Sequence, residues 1–127
     1  MIAKKTKSKK SVKTKKVDET FNRIINEILK HIKQNSNGTP DFSMWYVGIT
    51  YNPKQRVVQH KQTYPDLIHF KKFYGYTLNR VHNIEAYFSK EFGTKNTSKL
   101  GNPRPDSYYV YVYRIEPTIK ESILGHN

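Results

Sequence analysis

Glu85 is the side chain whose position says most about chemistry. Val81, Ile84, Phe88 and Phe92 recur at helical spacing, and Glu85 falls on the same stripe, between Val81 and Phe88. A carboxylate placed there faces protein or a cleft rather than open water. Burying it without a counter-charge is costly, so it should meet a cation: Arg56, another side chain or a bound metal. A single carboxylate suits magnesium when water and substrate phosphate supply the other ligands. Arg56 and His60 stand four residues apart and share a face of any helix that carries them. A guanidinium can hold a phosphate through two donors, and a neutral imidazole can take or relay a proton near neutral pH. Taken alone, the pair reads as an ordinary solvated face. In Met44 to Thr50, alternation sends Trp45, Val47 and Ile49 one way and Tyr46, Gly48 and Thr50 the other. Glycine weakens a strand, so something should benefit from the missing side chain. Either a ligand or another side chain approaches beside Tyr46, or the glycine marks a bulge or tight helix packing.

The elements that must position these groups follow from periodicity and punctuation. Asp18 caps a helix expected over about 18–34, whose apolar face is Phe21, Ile24, Ile25, Ile28 and Ile32. Gly38 and Pro40 close the turn after it. The aromatic and β-branched run 44–50 reads as a strand, and Asn52-Pro53 opens a second helix over about 53–63. Part of 69–78 reads as a weakly patterned strand. Asn79 is expected to cap a third helix over about 80–92 that Gly93 terminates. Residues 94–107 are turn formers and read as a loop. The run Tyr108 to Ile115 is the clearest strand, with Tyr109, Tyr111 and Tyr113 on one face and Val110 and Val112 on the other. Together these give an α+β domain, a small, mainly antiparallel three-stranded sheet flanked by helices.

Composition bounds the rest. The chain has 127 residues, Lys+Arg 23 against Asp+Glu 10, and a formal charge of +13. That size suits one domain, read as residues 18–127, preceded by a tail at 1–17. Lys4, Lys5, Lys7, Lys9, Lys10, Lys13, Lys15 and Lys16 crowd that tail without an acid, so it is expected to be disordered when free and to seek a polyanion. With no run of about 18 apolar residues and no apolar signal segment, a membrane span and export are not expected. The expected location is intracellular, cytoplasmic or nucleoid-associated, or nuclear in a eukaryotic or virus-infected cell. Cysteine is absent, which removes disulfides, thiolate zinc sites and cysteine nucleophiles. His31, His60, His69, His82 and His126 match no zinc spacing, and no glycine-rich loop suits a nucleotide cofactor.

Tyr46-Val47-Gly48-Ile49-Thr50, followed by Pro53, Arg56 and His60 and then by Glu85 in Ile84-Glu85-Ala86-Tyr87-Phe88, resembles the GIY-YIG nuclease superfamily. The resemblance covers about residues 44–115 and is nearest to small members that lack the first Gly-Ile-Tyr strand. It implies cleavage of a phosphodiester with one divalent ion, Mg2+ or Mn2+. Carried over, Tyr46 orients or activates the attacking water, Arg56 stabilises charge on the phosphate, Glu85 holds the metal and His60 acts as base or relay. Asn102 would stand for the family's late polar residue on the nucleic acid. No Gly-Ile-Tyr strand precedes Tyr46; a helix and a turn stand there instead. Two repairs are open. The C-terminal strand could lie beside the first and present Tyr109 or Tyr111 in the missing tyrosine's place, or catalysis is lost and a binding surface remains.

The leading expectation is therefore a metal-dependent endonuclease acting on DNA first and RNA second. A noncatalytic nucleic-acid-binding module on the same fold is the alternative, and an interaction protein with a basic tail is the third. Glu85 separates the first two, because a polyanion binder gains nothing from a carboxylate in its groove.

Overall fold

Asp18 adopts extended backbone and its carboxylate accepts the Phe21 N–H at 3.0 Å, which starts helix α1 (Glu19–Gln34). The same carboxylate accepts from Arg80 Nε at 2.8 Å, tying the cap to the third helix. The structure, a computed structural model, describes residues 17–96 and 105–116. A 3₁₀ turn (Phe42–Met44) leads into strand β1 (Trp45–Thr50), and Asn52 caps α2 (Pro53–Thr63). Strand β2 spans Ile68–Tyr74, α3 spans Leu78–Phe92, and β3 spans Tyr109–Arg114. The α+β class and the antiparallel three-stranded sheet expected from the sequence are what the chain forms. Among the described residues no helix is long and apolar enough to cross a membrane.

The last strand in sequence is the middle one in space. β3 pairs with β1 on one side and β2 on the other, both antiparallel, giving the order β1-β3-β2. In register, Tyr111 lies opposite Gly48 and Tyr113 opposite Tyr46. Beyond β1, Lys95 makes a parallel bridge: its N–H reaches Trp45 O and its O accepts from Val47 N, both at 2.9 Å. That part of the segment expected to be loop thus covers the edge of β1.

One face of the sheet carries the aliphatic core. Ile24, Ile28 and Ile32 from α1 and Val81, Ile84 and Phe88 from α3 pack on Trp45, Val47, Ile49, Val110 and Val112. The other face is aromatic, with Tyr46, Tyr111, Tyr113 and Leu67 packed against Val57, Tyr64 and Phe70.

Two boundaries differ from the sequence expectation. The cap of α3 is Thr77, not Asn79: Thr77 is extended and its hydroxyl accepts Arg80 N–H at 3.1 Å, which leaves Asn79 inside the first turn. β2 starts irregularly because its register with β3 slips between Ile68 and Lys71, where His69 takes φ of 61°.

Candidate functional site

Three elements bring candidate residues together on the aromatic face, and a fourth, α3, adds Glu85 within electrostatic reach of Tyr46. β1 supplies Tyr46, α2 supplies Arg56 and His60, α3 supplies Glu85, and β3 supplies Tyr111 and Tyr113. α2 has little apolar surface of its own; its buried residues are Pro53 and His60, and it is held through the latter. The reading of Arg56 and His60 as a solvated pair fails for His60, which is 7% exposed, while Arg56 is half-buried. Its covering is aromatic and comes from β3, 51 and 53 residues away in sequence.

His60 sits between two phenols. Its Nδ1 lies 2.5 Å from the Tyr113 hydroxyl and its Nε2 lies 2.9 Å from that of Tyr111. The Tyr46 ring meets the imidazole edge-on at 4.6 Å and stacks on Tyr113 at 5.0 Å. Burial first, and the Arg56 charge second, pull the imidazole down to about 4, so it is neutral near pH 7. A neutral ring donates at one nitrogen and accepts at the other, so one tyrosine gives it a proton bond and the other receives one.

Tyr111 continues the network. The Tyr46 hydroxyl and the Arg56 guanidinium lie within electrostatic reach of its own hydroxyl, and burial raises it well above the ordinary phenol range. Gly48 explains its own missing side chain here, since a Cβ would overlap the Tyr111 phenol. The close approach beside Tyr46 is therefore by another side chain of the protein. Tyr46 is pushed up to about 12, mainly by burial; the neighbouring Tyr111 hydroxyl lowers it, Glu85 raises it and Arg56 lowers it. Glu85 and Arg56 are thus each within electrostatic reach of the Tyr46 phenol. Tyr46 is 5% exposed and Glu85 8%, so both keep a narrow solvent-facing edge.

The donor set bears on the metal that the resemblance implies. Among the described residues no three His, Asp or Glu side chains gather as a ready cage. One carboxylate within electrostatic reach of a phenol fits a hydrated magnesium or manganese that takes its remaining ligands from water and phosphate, and does not fit zinc.

Not every candidate joins this group. Tyr109 opens β3, and its ring packs against Tyr74 at 5.2 Å and under Lys72. Asn102 and the tail lysines Lys4 to Lys16 lie outside the described residues. Tyr113 was not singled out by sequence reasoning; its signal is the register that sets it opposite Tyr46, which alternation alone does not give. Hollows of about 470 and 660 Å3 lie beside α1, lined by residues such as Asn26 and Lys30 or Val17 and Arg80, and hold none of these groups. In comparisons with known proteins, no family model, no curated protein and no solved structure matches this chain.

Proposed function

We propose that this protein is a divalent-metal-dependent endonuclease of GIY-YIG-like construction, in which β3 takes the place of the absent first strand. The observation that carries the reading is that Glu85 and Arg56 both act electrostatically on Tyr46, with Tyr111 delivered from β3 to stack on the Tyr46 ring at 5.9 Å and to bond His60. Glu85 would hold Mg2+ or Mn2+, which supplies charge neutralisation on phosphate and a more acidic water. Arg56 would donate to the non-bridging phosphate oxygens, where charge grows as water attacks phosphorus and the ester oxygen leaves. Tyr46, raised to about 12, remains a phenol at neutral pH and orients the water or phosphate as a donor rather than taking a proton as phenolate. His60, near 4 with both nitrogens engaged, serves as a positioning residue for Tyr111 rather than as the base.

The test is nicking of supercoiled plasmid with Mg2+ or Mn2+ against EDTA. Glu85→Gln and Arg56→Ala are each expected to lose about 100-fold or more. Equal nicking by the wild type and Glu85→Gln would overturn the assignment. Binding without nicking, across metals and substrates, would favour the noncatalytic binding module, for which the narrow exposure of Tyr46 and Glu85 already speaks.

A further inference from the structure

Tyr74 and Tyr76 are the aromatic members of the exposed large apolar side chains among the described residues, 43% and 54% exposed, and they touch each other edge-on at 4.6 Å. Tyr74 also meets Tyr109 at 5.2 Å and Tyr108 at 6.4 Å, so four tyrosine rings form one surface at the end of the sheet. Lys72 stands over the Tyr109 ring at 5.8 Å.

The backbone holds this surface open at a conformational cost. Tyr76 has φ of 72°, a left-handed conformation that a bulky residue adopts only when its surroundings impose it. The surroundings do so. Gly75 N–H donates to Tyr108 O at 2.7 Å, and Gly75 O accepts from Thr77 N at 2.8 Å and from Arg80 Nη1 at 2.9 Å. Any side chain at position 75 would overlap Val81, so the turn cannot move inward. A strained turn is thus pinned on both sides, and the ring it carries is left in solvent.

Position adds to this. Tyr74 lies opposite Tyr109 and Lys72 opposite Tyr111 on β3, so these side chains share the sheet face that carries Tyr111. Tyr109 is two residues from Tyr111 on that face, about 7 Å along the strand. The rings offer flat faces, Lys72 offers charge, and the chain carries Lys+Arg 23 against Asp+Glu 10.

We infer that the Tyr74–Tyr76–Tyr109 surface is a stacking platform for unpaired bases of single-stranded DNA, with Lys72 on the adjoining phosphate. Base stacking on aromatic rings is tolerant of sequence and strong per base. The inference rests on the proposed nuclease reading only for its consequence, that the strand leaving the Arg56–Glu85 site runs unpaired across the platform.

The experiment measures binding by the full chain in EDTA at physiological salt, so that cleavage plays no part. Fluorescence anisotropy compares an oligothymidylate with an abasic strand of equal phosphate number. The wild type should favour the base-bearing strand by roughly 5- to 100-fold. Tyr74→Ala and Tyr76→Ala should each remove several-fold of that preference, and Tyr76→Phe should keep it, because the ring does the stacking. The salt dependence should stay the same in all three, since no phosphate contact is lost. Equal binding of the two strands by the wild type would overturn the inference, as would a preference that survives loss of both rings. Tighter binding of an oligoribonucleotide would overturn the assignment to DNA. Self-association abolished by Tyr76→Ala would instead assign the surface to a second copy of the chain. A failed nicking assay leaves this result standing, and a failed stacking assay leaves the nicking result standing.

Discussion

Strand β1 sends Trp45, Val47 and Ile49 to one side of the sheet and Tyr46, Gly48 and Thr50 to the other, and the two sides are held together differently. The aliphatic side rests on area removed from water, contributed by isoleucines of α1 and the Val81–Ile84–Phe88 stripe of α3. The aromatic side buries hydroxyls and an imidazole, and offsets that cost through hydrogen bonds that fix each ring in place. Nondirectional burial tolerates reshaping, whereas a directional network loses a partner with every deletion. The difference separates the part of the molecule that makes it fold from the part built to hold polar groups at set positions.

The largest effect that bears on this comparison belongs to the aliphatic side. Phe88 is fully buried between the helices and the sheet, so Phe88→Ala should cost about 3–5 kcal/mol of stability. Denaturant unfolding measures it. A loss below about 1 kcal/mol would mean that this face is not the main source of stability.

Acid should act on the aromatic side. Below pH 6.5 an unfolded chain's imidazole takes a proton that folded His60 refuses until about pH 4, so stability falls as the pH drops through that interval. The loss for His60 alone approaches roughly 3 kcal/mol at the lower end. Desolvation lowers His31 as well and acts with the same sign. Asp18 and Asp41, lowered chiefly by side-chain hydrogen bonds from Arg80 and Ser43, weaken folding only below their ordinary 3.8. Thermal unfolding between pH 7 and pH 4 should therefore show a steep slope that His60→Gln flattens. An unchanged slope in that variant would show that the imidazole is solvated in the folded protein.

How much of this was legible in the sequence follows the same division. The aliphatic side was: the α1 stripe, the Val110–Val112 alternation and the inward placement of Glu85 are periodic patterns, and periodicity reports local burial. The burial of His60 was not, because α2 offers almost no apolar pattern and is covered by tyrosines from the far end of the chain. β2 resisted reading because a register slip and the positive φ at His69 break its alternation. Thr77 and Asn79 are both good capping residues, and only the fixed turn at Gly75 decides between them. The role of Gly48 was legible as a question, and its answer needed the strand register.

Gly48 gives the sharpest separation of the two sides with the smallest chemical change. Its Cβ would project to the aromatic side and into the Tyr111 phenol, while its neighbours Val47 and Ile49 face the aliphatic core. The Tyr111 ring cannot swing away cheaply, since its hydroxyl is tied to His60 and the ring stacks against Phe70 and Tyr46, both at 5.9 Å. Gly48→Ala should therefore cost up to about 3 kcal/mol through overpacking. Because the Tyr111–His60 bond would lengthen, the imidazole should also titrate at a different pH, which NMR of the histidine ring protons reads directly. Combining Gly48→Ala with Tyr111→Leu, which removes the obstructing ring, should cost less than the two single changes added together. Additive losses would mean that the alanine acts on the strand itself and that the glycine was not keeping room for the tyrosine.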